Sequence, residues 1–114
     1  MVVRGEIYLG KFDPALGSEM AKVRPCLVIQ NDIGNKYSPN TLVLAISSKI
    51  TEELPTCVFL PREISGLEKD SSVLCSHIYT FSINDRLIKK LGKITDVTIL
   101  TKIDNALRLS LGIN

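Results

Sequence analysis

The residues able to do chemistry in this 114-residue chain are sparse, and their spacing rules out several reactions. His77 is the sole histidine, and neither an HExxH motif nor a paired Cys/His arrangement occurs. The carboxylates Glu6, Asp13, Glu19, Asp32 and Asp70 are scattered, so no metal is expected, although residues distant in sequence can converge in space. Serine, His77 and aspartate are all present, but the strained GxSxG elbow of a hydrolase is not. No GxxxxGK[ST] phosphate loop occurs either. What remains is Arg24-Pro25 at the mouth of an apolar run and Ser47-Ser48 at the end of the next. A guanidinium is a fixed fork of donors shaped for phosphate oxygens. A hydroxyl beside it can donate to another of those oxygens. Such a pair can stabilise a pentacovalent phosphorus, and RNA brings its own nucleophile, the 2′-OH. An Arg-Pro before a strand also serves as an edge charge or salt-bridge partner, so the pattern alone leaves both readings open.

Those side chains need elements to hold them. Val2–Leu9 is β-branched at its start and is expected to form a first strand. Residues 10–22 carry two glycines and a proline and are expected to form a long loop. The runs RPCLVIQ and TLVLAIS are apolar throughout, which predicts two strands buried on both faces. If they are neighbours, Arg24 and Ser47 meet at their ends. NDIGNKYSPN between them is expected to be a loop, PTCVFL a fourth strand, REISGLEKD a turn region and SSVLCSHIYTF a fifth strand. SINDRLIKKLG is expected to be a short helix capped by Ser82 and Gly92. The last segment is expected to be a helix capped by Thr95 or Asp96 and ended by Gly112, with a stripe of Leu100, Ile103, Leu107 and Leu111. Several short strands followed by a helix predict a mainly β domain, a small antiparallel barrel or sandwich with a C-terminal helix packed on it. The length suits one domain, residues 1–114.

Composition limits the setting. With no Trp and 5% aromatics, Val, Ile and Leu must fill the core. A net charge of +2 allows a local basic groove without demanding one. Three separated cysteines, Cys26, Cys57 and Cys75, argue against a disulfide framework or zinc site. Cys26 and Cys57 sit among apolar residues and read as reduced core thiols. The start, MVVRGEIYLG, lacks the apolar core of a signal peptide, and no apolar run approaches a membrane span. A cytoplasmic protein without membrane contact is expected.

RGEIYLGKFDP, GSEMAKVRPCLVIQND and NDIGNKYSPNTLVLAIS resemble the MazF/PemK family of toxin endoribonucleases from type II toxin-antitoxin systems. LPTCVFL, GLEKDSSVLC and NDRLIKKLGKI resemble its later segments, so the likeness runs over nearly the whole chain. It implies an SH3-like β-barrel, assembled as a homodimer. It implies metal-independent, sequence-selective cleavage of single-stranded RNA, with no cofactor, leaving a 2′,3′-cyclic phosphate and a 5′-OH. A cognate antitoxin is the implied protein partner, and DNA is met only through the complex with it. The family's catalytic arginine falls on Arg24 and its catalytic threonine on Ser47, with Glu19 a candidate general base. Ser18 and Glu19 fall in the loop that covers RNA, and Leu54, Pro55 and Thr56 in the base-reading segment. His77 is either a partly buried strand histidine or an RNA-binding groove residue.

The chain departs from the family pattern in three places. Ser47 stands for threonine, Met20-Ala21-Lys22 for a glycine-rich run, and Ser76–Thr80 for EQIRT or DQVKS. Base readout depends on such edge contacts, so the recognised RNA sequence does not transfer. Two alternatives remain beside the toxin nuclease. One is a CcdB-like gyrase poison, against which the ending LSLGIN counts. The other is a catalytically inert barrel that only binds partners, against which Arg24 and the Ser47 hydroxyl count.

Overall fold

In a computed structural model, which describes residues 1–12, 22–50 and 54–114, ten elements follow one another. They are β1 (Glu6–Phe12), β2 (Lys22–Val28), α1 (Asp32–Tyr37), β3 (Asn40–Ser47) and β4 (Cys57–Leu60), then α2 (Arg62–Ser65), β5 (Ser71–Ser82), α3 (Ile83–Arg86), β6 (Leu87–Lys93) and α4 (Val97–Leu111). The six strands form one sheet in the order β4-β5-β3-β2-β1-β6, with every neighbouring pair antiparallel. Its two ends do not pair, so the sheet is a small open barrel, and α4 packs over β4 and β5.

The apolar runs follow from two cores on opposite faces of the sheet. Leu27, Leu44 and Ile46 point into a core closed by Ile99, Ile103 and Ala106 of α4. Cys26, Val28, Val43 and Ala45 point the other way, against Val2, Phe12 and Phe81. Alternation sends successive residues to opposite faces, and here both faces are dry. The paired stretches Cys26–Val28 and Leu42–Ile46 therefore carry apolar residues at every position, as the sequence led us to expect.

Several boundaries differ from the expectation. The first strand begins at Glu6 rather than Val2, because Gly5 turns the chain at φ +96°, where a side chain would be strained. The expected loop between β2 and β3 holds helix α1, whose N-cap Asn31 accepts a hydrogen bond from Gly34 N at 2.7 Å. Ser82 does cap a helix, accepting from Asp85 N, but that helix stops at Arg86 and residues 87–93 form β6. Leucine and lysine favour helix only weakly; pairing with β1 and the 2.7 Å ion pair from Lys90 to buried Glu6 override that preference. Gly92 is no C-cap: a Cβ there would lie 2.6 Å from Ser65 O, so its role is to let α2 approach β6 closely. In α4, Asp96 caps the start and Gly112, at φ +70°, ends it. Its apolar stripe is rotated from the expected one. Ile99, Ile103 and Ala106 are buried, Leu100 and Leu107 flank them, and Leu111 is 57% exposed. Arg4 ties these ends together, donating to Ile29 O at 2.7 Å and to the Asp104 carboxylate at 2.9 Å.

Candidate active site

The site begins with one register. β2 pairs with β3 at Cys26–Ala45, Leu27–Leu44 and Val28–Val43. Carried two residues further, that register sets Arg24 across from Ser47, the meeting that the sequence made conditional on neighbouring strands. Arg24 is held from the other side by its pairing with Gly10, and Ser47 by its pairing with Ser72. Each therefore sits on backbone held by one neighbouring strand, just past the last β2–β3 pair, Cys26–Ala45.

A groove of about 680 Å³ opens where β2 begins and β3 ends, and Arg24 and Ser47 both line it. Its floor is apolar, from Leu9, Pro25, Ile46, Leu67 and Leu91, and its rim carries Lys49, Lys69 and Lys89 against one acid, Glu68. The Arg24 guanidinium carbon lies 6.0 Å from the centre of the Phe12 ring. That ring is buttressed edge-on by Tyr79 at 4.9 Å and Phe81 at 4.8 Å. A cation over an aromatic face keeps its N–H donors free for a ligand, and Arg24 has no carboxylate partner among the described residues. The Ser47 oxygen accepts a hydrogen bond from Lys49 N at 3.1 Å, which leaves its hydroxyl proton available to donate. The arrangement offers a guanidinium fork, a hydroxyl donor and a cationic rim: binding chemistry for a phosphodiester.

The other expected site residues fall elsewhere. Leu54–Thr56 form the turn into β4, closed by Cys57 N donating to Leu54 O at 2.9 Å. Cys75 N donates to Thr56 O at 2.9 Å, so this turn lies against the bulged middle of β5, two residues before exposed His77. The structure thus brings Leu54, Pro55, Thr56 and His77 toward one another, and none of them lines the groove. His77 is exposed rather than partly buried. Ser18 and Glu19 lie outside the described residues. Among the described residues no three His, Cys, Asp or Glu side chains converge. Burial pushes the thiols of Cys26 and Cys75 up to about 12, so neither is a nucleophile near neutral pH. Of the two expected core thiols, Cys26 is fully buried and Cys57 only partly. The residues missed from sequence are Lys49, Lys69 and Lys89. Lys89 was hidden because its segment read as helix, and the other two because isolated lysines in polar loops carry no signal.

The fold and this groove define a class. The chain belongs to the PemK-like, MazF-like toxin family of type II toxin-antitoxin systems, whose pattern matches residues 3–111. Among individual relatives, it is 42% identical over 115 residues to endoribonuclease MazF of Staphylococcus epidermidis, covering 100% of this chain and 94% of that protein. Its fold matches an endoribonuclease solved in complex with its cognate antitoxin from a mycobacterial species (TM-score 0.81, 23% identity, 100% of this chain and 98% of that one). It also matches MazF from Deinococcus radiodurans (TM-score 0.80, 21% identity, 98% and 97% of the two chains). No helix among the described residues is long and apolar enough to cross a membrane.

Proposed function

We propose that this chain is the toxin of a type II toxin-antitoxin system and acts as a sequence-selective endoribonuclease on single-stranded RNA in the cytoplasm. The observation that carries the reading is the juxtaposition of Arg24 and Ser47 on one cationic groove in a chain of this family. The whole chain, residues 1–114, is then one toxin domain. It works as a homodimer and is held inactive by a cognate antitoxin; the mycobacterial neighbour was solved in complex with its own cognate antitoxin.

The chemistry needs no metal. The RNA 2′-oxygen attacks the adjacent phosphorus while its proton passes to a base. The P–O5′ bond then breaks, and the 5′ oxygen takes up a proton as it leaves. The products are a 2′,3′-cyclic phosphate and a 5′-OH. Arg24 clamps the phosphate and supplies fixed positive charge where the phosphorane develops negative charge, and Ser47 donates to a second equatorial oxygen. Preorganised donors of this kind are each worth about 10²–10³ in rate. Glu19 is our candidate for the base, since a guanidinium holds its proton in proteins and makes a poor one. Leu54, Pro55, Thr56 and His77, with Ser18, are assigned to reading and covering the bases.

The test is cleavage of a long unstructured RNA in excess EDTA, with cut sites and end groups mapped, beside the Arg24→Ala protein. Discrete cuts with 5′-OH ends, slowed by about 10²-fold or more in the variant, are expected. A folded wild-type protein that leaves the RNA intact would overturn the reading in favour of a binding protein.

A further inference from the structure

Resting on that reading, we infer that Lys89, with Lys69 and Lys49, forms a second anion-binding track on the groove, which takes phosphodiesters flanking the one that is cleaved. Four cations line this groove against one carboxylate, Glu68. Arg24, Lys49, Lys69 and Lys89 have no ion-pair partner among the described residues. Uncompensated charges of one sign around a concavity focus its field and favour an anion there.

The placement of Lys89 is specific. Leu9 of β1 pairs with Pro25 on one side and with Lys89 on the other. Strands lie about 4.8 Å apart, so Lys89 stands roughly 10 Å across the sheet from Pro25, and alternation sends the neighbouring Arg24 to the other face, toward Phe12, so the two cations meet the groove from its two sides. Its neighbour Lys90 is tethered to Glu6 at 2.7 Å, which pins β6 despite the two register shifts along β1. Adjacent lysines thereby have separate tasks: Lys90 holds the strand, and Lys89 is exposed on the groove with no side-chain bond among the described residues. The apolar floor between the cations, with Val23 at 51% exposure beside it, suits sugar and base faces between charged phosphates. A chain with regularly spaced anions and apolar faces fits this surface better than a compact anion does.

The track is tested by binding, kept separate from cleavage. The probe is a 2′-O-methylated RNA of about twelve nucleotides, built on a sequence that the wild-type protein cuts in unmodified form, titrated from low to high salt. Each single-strand phosphate contact contributes about 0.7 to the slope of log affinity against log salt. Lys89→Ala should lower the slope by that amount and weaken binding about fivefold near 0.1 M salt. Lys89→Ala with Lys69→Ala should roughly double the loss in slope. Lys89→Arg should restore binding, and Lys102→Ala on exposed α4 should leave it unchanged; thermal melts check that each variant folds. Tight wild-type binding with an unaltered slope in both Lys89→Ala proteins would overturn the track alone. The lysines would then serve another anionic partner, such as an acidic protein segment. A folded wild-type protein that neither cuts nor binds RNA would overturn the underlying reading and the track with it.

Discussion

At Ser47, the hydroxyl is held by one hydrogen bond, from Lys49 N at 3.1 Å, and by no β-methyl group. Serine samples more χ1 wells than β-branched threonine, so part of its barrier is the cost of freezing that rotation. Ser47→Thr should therefore keep or raise kcat, by no more than a few-fold, whereas Ser47→Ala should lower it by about 10²-fold or more by removing a donor. Single-turnover cleavage of one RNA by the three proteins separates the cases, and equal rates for the parent and the Ser47→Ala protein would remove the hydroxyl from the chemistry. Arg24 and Ser47 could be singled out in the sequence only with the help of the family resemblance, because an arginine or a hydroxyl at a strand end also serves as an edge charge or cap. Lys49, Lys69 and Lys89 could not, since a lysine's sequence neighbours do not say which concavity it rims.

Among the elements, β6 shows best where local reading fails. Its residues favour helix, its neighbour α3 begins with a correctly read cap, and the strand exists because β1 offers an edge and Glu6 a partner. Burial opposes ionisation of Glu6, but hydrogen bonds from Lys90, Val3 N and Tyr8 and the Lys90 charge outweigh it and hold the carboxyl below its ordinary value of 4.5. A carboxylate whose folded pKa is depressed stabilises the fold above its unfolded pKa, and that stability fades as pH falls through the lower folded value. Glu6→Gln should thus cost about 1–3 kcal/mol at pH 7, the worth of charge-assisted hydrogen bonds. The gap from the parent should close as pH drops below 4.5. Urea unfolding at pH 7 and near pH 3 checks this, and a gap that stays constant would mean that the carboxylate charge is immaterial. The caps of α4, Asp96 and Gly112, were readable because capping is local chemistry. Its buried face was misjudged by a rotation: Ile99, Ile103 and Ala106 face the core, Leu100 and Leu107 flank them, and Leu111 is exposed.

For the molecule as a whole, both edges of the sheet carry exposed apolar side chains, Phe59 on β4 and Ile88 on β6 at 50% and 52% exposure. Tyr79 adds a third on β5. Unsatisfied edges and apolar surface favour association, in keeping with the proposed homodimer. Sedimentation equilibrium at micromolar concentration should return twice the chain mass of 12.6 kDa, and a monomer mass would contradict the assembly. The sequence by itself determined what depends on neighbours along the chain: the apolar runs of β2 and β3, the caps at Ser82, Asp96 and Gly112, and the family. The tertiary structure alone decided what depends on neighbours across it. It brought Arg24 and Ser47 to one groove beyond the β2–β3 pairs, made a strand of residues 87–93, and gathered lysines from three separate segments onto that groove. Strand pairing fixes contacts between residues far apart in sequence, and no local periodicity records which strand will be the neighbour.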